Sequence, residues 1–337
     1  MTSSALPVVS VPLALAGSER TLLPYSAAVR NVPELRVAAI FTEETPSRHW
    51  LREMGRPAVC YTMEELLSSE HAALIIATPL KLRASLALEA LLRGRHVMSA
   101  APPALTPAEC DDLTLAAVRT GVVFFSDFPA RHNPCFLRVT EAIRNKLPGK
   151  IHQVRCHIHY RNDEDEKPQS FADHACRAAD VCRMWLGDVE TVNADIEVEH
   201  RHASGHLIFN HEDGVSVCHV LGGPAAHRSE RYHIEGETGE IELISVASRP
   251  RSYRLLLHHN NGLEEDLTPP DTTHIHAIQY MTQAFLQAIQ AHEDQSRHGA
   301  DIRKSLESIY AAFIASRYKS RVQLPLLTFQ SLEGLLY

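Results

Sequence analysis

The chain has 337 residues, 45% of them hydrophobic, which suffices for about two ordinary buried cores. Acidic side chains outnumber Lys and Arg by 41 to 33, so the net charge of -8 gives no electrostatic footprint for nucleic acid or an anionic membrane. The seven cysteines are scattered, odd in number and without a CxxC pair, which fits a reducing compartment and supplies no zinc motif.

The opening ALPVVSVPLALAG imitates a secretory leader in its apolar character and its triplet Ala14, Leu15, Ala16. No Lys or Arg precedes it, and Pro7 and Pro12 interrupt it, so it reads as the first strand of a cytoplasmic protein. Apolar runs at 8–15, 35–41, 72–77, 96–98 and 122–125 read as short buried strands, with helical patterns between them such as 83–92 and 107–119. That alternation predicts a parallel, doubly wound sheet over residues 1–128. From residue 151 the rhythm changes. A long strand at 151–161 and a helix at 173–186 precede extended segments joined by turn signals at Asp213-Gly214, Thr238-Gly239 and Asn261-Gly262, and helices at 274–291 and 300–318 follow. This pattern predicts an open antiparallel sheet with a helix beside it over 129–325, then an apolar tail at 326–337 with the spacing of a short docked helix. The fold class is thus α/β followed by α+β. No apolar run is long enough to span a bilayer.

The segments HAALIIATP (71–79), ARHNP (130–134), CRMWLGDVETV (182–192), YHIEGETGEIEL (232–243) and the closing 300–325 occur in the order found in the Gfo/Idh/MocA oxidoreductases. The chain resembles that family over nearly its whole length. The resemblance implies a Rossmann-like dinucleotide domain, a substrate domain whose flat sheet face forms a homodimer, and nicotinamide-linked chemistry on sugars. In GRHVMSAAPPALTP (94–107), Ala100 and Ala101 stand where the family has glutamate and lysine before proline, and Pro102 is retained. The first strand also lacks the GxGxxG turn, whose glycines let a pyrophosphate approach the helix N-terminus. Counting back from Pro24, those positions fall on Leu13, Leu15 and Ser18 or on Ala14, Ala16 and Glu19, and neither register supplies glycines. Thr42 and Glu43 occupy the end of the second strand, where an acid would hold the ribose hydroxyls and a 2'-phosphate would be repelled. If a dinucleotide binds, the expected lining is Ala14, Ala16, Gly17, Glu43, Thr78 and Pro79.

The family's acid–base helix corresponds to residues 173–180. Asp173 and Asp180 match it, but Arg177 replaces the histidine, and a guanidinium stays protonated. Arg83 likewise stands where the family often has a histidine. Two such exchanges suggest an anion-binding cleft or two structural ion pairs. His174 points about 100° away from Asp173 on a helix. The catalytic candidates are therefore Asp173, His174, Asp180 and Tyr160, and the ligand-binding candidates are Arg83, Arg131, His159, Arg161 and Arg177. Histidine pairs at 157/159, 200/202 and 274/276, with Asp163, Asp165 or Glu199 nearby, match no ligand motif, so no metal is expected.

Three functions fit these residues. The first is a pseudo-oxidoreductase with no cofactor, which binds a small anionic or sugar-like ligand or supports a protein partner. The second is an atypical NAD(P)-dependent oxidoreductase or imine reductase with a non-lysine proton donor. The third is a repurposed lyase or cyclase.

Overall fold

The computed structural model describes residues 10–161, 167–199, 203–223, 228–246, 251–291 and 295–326. The expectations for Asp163, Asp165, His200, His202 and the tail after Leu326 lie outside the described residues.

The first half alternates strand and helix: β1 (Val11–Gly17), α1 (Glu19–Val29), β2 (Leu35–Phe41), α2 (Arg48–Glu53), β3 (Ala58–Cys60), α3 (Met63–Ser68), β4 (Ala73–Ala77), α4 (Leu80–Leu92), β5 (His96–Ala100), α5 (Pro107–Thr120) and β6 (Phe124–Asp127). The six strands form a parallel sheet in the order β3-β2-β1-β4-β5-β6. The order reverses between β1 and β4, and a doubly wound sheet opens a ligand crevice at that point, outside the carboxyl ends of its strands. Helix starts are set by local chemistry. Thr62 and Thr106 each accept from the backbone three residues on, while Glu65 and Glu109 reach back to close capping boxes.

A single 3-10 turn at Pro129–His132 leads into α6 (Pro134–Arg144) and the second sheet. Its elements are β7 (Ile151–Arg161), α7 (Lys167–Leu186), β8 (Val189–Val198), β9 (Ala203–His211), β10 (Gly214–Gly223), β11 (Ser229–Gly236), β12 (Gly239–Val246), β13 (Ser252–His259) and β14 (Glu264–Asp266), followed by α8 (His274–Ala291), α9 (Gln295–Tyr318) and β15 (Val322–Gln323). The nine strands run β14-β13-β12-β11-β7-β10-β9-β8-β15. The sheet is mixed rather than wholly antiparallel, because β10 lies parallel to β7.

Side-chain alternation decides which residues meet α7. On β7, Val154, Cys156, Ile158 and Tyr160 are buried, whereas His157, His159 and Arg161 point to the opposite, exposed face. That outer face also carries Ile208 and Leu221. Helix α8 returns to the first sheet, where Ile278, Met281 and Phe285 share a core with Leu13, Leu15 and Ile75. Both sheets and α7 are thereby fixed around one groove.

Candidate active site

The turn after β1 contains a glycine that the sequence register missed. Gly17 ends the strand at φ +150 and pairs with Ala77 of β4, and a Cβ there would stand 2.7 Å from the Ala77 carbonyl oxygen and 2.8 Å from Thr21 Oγ1. Ser18 then caps α1 by accepting from the Thr21 amide. The three fingerprint positions are therefore Gly17, Glu19 and Leu22. Ala14 and Ala16 are fully buried within the strand, on the face opposite Leu13 and Leu15, and do not line the turn.

Glu19 does not aim its carboxylate along the helix axis. It accepts from the Ser47 amide at 2.7 Å and the Ser47 hydroxyl at 2.9 Å, and Ser47 in turn caps α2. Thr42 is buried and accepts from the Glu44 amide, while Glu43 is exposed at the end of β2. Thr78, at the end of β4, is 2% exposed and its Oγ1 has no partner among the described residues. A glycine cradle at the switch point and an orphaned hydroxyl beside it fit a dinucleotide.

Across the groove, the arginines that replaced histidines are both committed to carboxylates. Arg83, 3% exposed, donates through Nη1 and Nη2 to Asp173 at 3.0 and 3.1 Å, and its other bonds go to the carbonyls of Pro102 and Thr78 at 2.9 and 3.0 Å. It thus bolts α7 to the ends of β4 and β5, beside buried Ala100 and Ala101. Arg177 donates to Asp127 Oδ2 at 2.6 Å, and the Tyr25 hydroxyl donates to the same oxygen. Asp180 accepts two bonds from Arg131, both at 2.8 Å, and a third from Ser305, which makes it a structural anchor between α7, the 3-10 turn and α9. Arg131 also reaches Asp301. A fourth arginine, Arg251, pairs with Glu230 at 2.7 Å, and Tyr253 donates to that carboxylate at 2.6 Å.

Arg177, Glu230, Arg251 and His274 help line a small cavity of about 50 Å³ walled by Phe128, Phe136, Tyr232 and Tyr253. Sequence reasoning named Arg177 as a ligand-binding candidate but missed Glu230 and Arg251, since β11 and β13 carry no motif around them. Burial would raise the Glu230 pKa, but Arg251 and Tyr253 outweigh it and bring it to about 2. Burial and the charge of Arg251 lower His274 to about 4. All four of these arginines face carboxylates, Arg131 facing two, so their charges are spent within the protein.

His174 differs from its neighbours. Its ring stacks on Tyr160 with centroids 4.3 Å apart, and neither nitrogen makes a hydrogen bond to a described residue. Burial first and Arg177 second lower its pKa to about 3, so the imidazole is neutral near pH 7. Tyr160 is 1% exposed, and its ring covers Gly222, where a Cβ would meet the phenol oxygen at 2.4 Å. Burial, followed by Asp173, raises its pKa, and its hydroxyl has no partner among the described residues. His159 and Arg161, expected to bind ligand beside Tyr160, are on the other side of the sheet, as the two-residue period of a strand requires.

These shifts set a pH dependence of stability. His174 and His274 have folded pKa values near 3 and 4 against 6.5 unfolded, so below pH 6.5 the unfolded chain binds protons that the folded one refuses. Glu230 acts in the same direction between 4.5 and about 2. The urea midpoint is expected to fall steadily from pH 7 to pH 4, with a shallower fall in a His174→Ala, His274→Ala double variant. Parallel profiles would refute this account.

A parallel sheet with a glycine turn at its switch point, joined by α7 to an open sheet, defines a two-domain protein of the dinucleotide-binding class. Residues 14–128 match the family model described as "Oxidoreductase family, NAD-binding Rossmann fold". The chain is 24% identical over 254 residues, 71% of its length and 77% of the relative's, to a dTDP-3,4-didehydro-2,6-dideoxy-alpha-D-glucose 3-reductase of Streptomyces antibioticus. Its fold is similar to that of an Agrobacterium radiobacter oxidoreductase in complex with NAD+, L-tartaric acid and magnesium, with TM-score 0.79, 17% identity, and coverage of 93% and 98% of the two chains. It is equally similar, at TM-score 0.79 and 17% identity over 91% and 98%, to a lysine-to-alanine variant of a 3-ketoreductase from Actinomadura kijaniata in complex with TDP-benzene and NADP. The family match is thus to the NAD-binding Rossmann fold of the Gfo/Idh/MocA oxidoreductases and covers the first sheet, while the similarity of fold extends over both sheets.

The expectation of no cofactor is overturned by these relationships, because the family is NAD-binding and similar structures hold NAD+ or NADP. They favour an oxidoreductase over a pseudoenzyme. No helix among the described residues is long and apolar enough to cross a membrane.

Proposed function

We propose that the chain is an NAD(H)-dependent oxidoreductase that interconverts a carbonyl and an alcohol on a neutral, sugar-like compound, with His174 in the role the family gives to lysine. The observation that carries this reading is the neutral imidazole of His174, which stacks on Tyr160 and makes no hydrogen bond to a described residue. Gly17, Ser18, Thr78 and Pro79 would hold the dinucleotide, and Glu43 would receive its ribose hydroxyls. When bound, the nicotinamide supplies or accepts a hydride.

The protein's own part is orientation and proton handling. Asp173 is saturated by Arg83, and Asp180 by Arg131 and Ser305, so neither is free to exchange a proton. An N–H of His174 polarises the substrate oxygen and gives up its proton as charge develops there. The second nitrogen takes up a proton from solvent in the same step, so the ring stays neutral throughout. Arginines already committed to carboxylates favour a substrate recognised by hydroxyls. Asp127 Oδ1 and Arg177 Nε, both buried without partners among the described residues, are an acceptor and a donor suited to that task.

The test is a titration with NADH and NADPH followed by turnover on a panel of neutral keto sugars and keto polyols. Glu43 and the absence of a cation at the end of β2 predict at least tenfold tighter binding of NADH. Failure of both nucleotides to saturate at millimolar concentration would overturn the assignment.

A further inference from the structure

Three buried cysteines remain outside this chemistry. Cys156 on β7 and Cys218 on β10 are register partners in the parallel pair, and Cys182 on α7 packs over both. The Cys182 sulfur is 3.6 Å from each of the other two, and all three sulfurs lie within 4.8 Å of one another at 0% exposure. A point equidistant from sulfurs so arranged stands about 2.1–2.4 Å from each, matching a metal–thiolate bond of about 2.3 Å. Spacing concealed this arrangement, because 26 and 36 residues separate Cys182 from its partners.

We infer that Cys156, Cys182 and Cys218 form a three-sulfur site for a soft monovalent cation, Cu(I). The donor set chooses the metal. Soft thiolates select Cu(I), whereas a structural zinc site needs four ligands, and the described histidines and carboxylates place no fourth ligand within the 4.8 Å cluster. The surroundings are organised as well. Ser216, two residues before Cys218 on the same strand face, is fully buried and lies 3.0 Å from His211 Nε2. The His211 Nδ1–H donates to the Gly187 carbonyl at 2.9 Å, so Nε2 accepts from the Ser216 hydroxyl.

Entry of Cu(I) displaces the protons of two thiols to solvent, and the third thiol coordinates as the neutral S–H. No electron transfer is involved. Because the sulfurs are sealed from solvent, the ion loads as the chain folds. Once bound it ties α7, and with it Asp173, His174 and Arg177, to β7 and β10.

The test uses the full chain, unfolded under reducing conditions and refolded anaerobically with a Cu(I) salt or a zinc salt. Atomic spectrometry is expected to find one copper per chain, and X-ray absorption three sulfur neighbours. The melting temperature should rise by several degrees. Cys182→Ser should retain at most a tenth of the copper, while Cys60→Ser, which alters a buried thiol outside the cluster, should retain all of it. Less than half an equivalent of copper in the wild-type chain would overturn the inference. So would a nitrogen ligand in the absorption spectrum, or stoichiometric zinc retained against copper. The wild-type measurements decide the matter even if the serine variants fail to fold.

Discussion

Gly17→Ala is expected to abolish saturable NADH binding and to lower the melting temperature. The added Cβ would stand 2.7 Å from a backbone carbonyl of β4, an atom that cannot rotate away because Gly17 and Ala77 are paired in the sheet. The backbone at φ +150 is itself costly for any residue with a side chain. Strain of this kind costs about 1–3 kcal/mol, or roughly a five- to 150-fold shift in an equilibrium constant. Relief requires the β1–α1 turn to move, and that turn is where the pyrophosphate would approach the helix N-terminus. Gly55→Ala supplies the control, since Gly55 also has a positive φ of +79 but an added Cβ would meet nothing within 4 Å. The Gly55 variant should lose stability and keep NADH binding. Isothermal titration of both variants decides the issue, and wild-type affinity in Gly17→Ala would show that this turn is not the cofactor cradle.

The same turn shows where sequence was informative and where it was not. Strand β7 and helix α8 have the predicted limits, because a sheet with one open face imposes a two-residue period and α8 buries one stripe. The three turn signals likewise fall at hairpin bends. The first strand is different. It is buried on both faces, so VPLALAG has no period from which to fix a register, and counting from Pro24 misplaced the glycine. The parallel β7–β10 pairing left no local mark either. Charge pairing was the least visible feature: Arg83 meets Asp173 across 90 residues and Arg177 meets Asp127 across 50, so two apparent anion sites became internal ion pairs. Removing one member of a buried pair strands a charge, which explains why each of the four groove arginines occurs with a carboxylate.

His174→Ala is expected to reduce kcat by roughly 10²–10⁴-fold with little change in NADH affinity, the usual range for loss of a positioned proton donor. The alternatives around it are limited by their own contacts. Tyr160 is held un-ionised by burial and packs its phenol against the Gly222 backbone. Arg177 stays protonated, and Asp173 has both oxygens occupied by Arg83. His174 can donate because it is neutral, and it is neutral because burial and Arg177 oppose its charge. Glutamine separates the two parts of its role. His174→Gln keeps an N–H to polarise the substrate oxygen but cannot exchange one proton for another, so its rate should fall between those of wild type and alanine and lose any inflection contributed by the histidine. Tyr160→Phe should leave kcat within about threefold, since the ring stack, worth about 0.5–1.5 kcal/mol, survives without the hydroxyl. A His174→Ala enzyme as fast as wild type would move the proton-transfer role elsewhere in the groove, with Glu230 and His274 the next groups to replace.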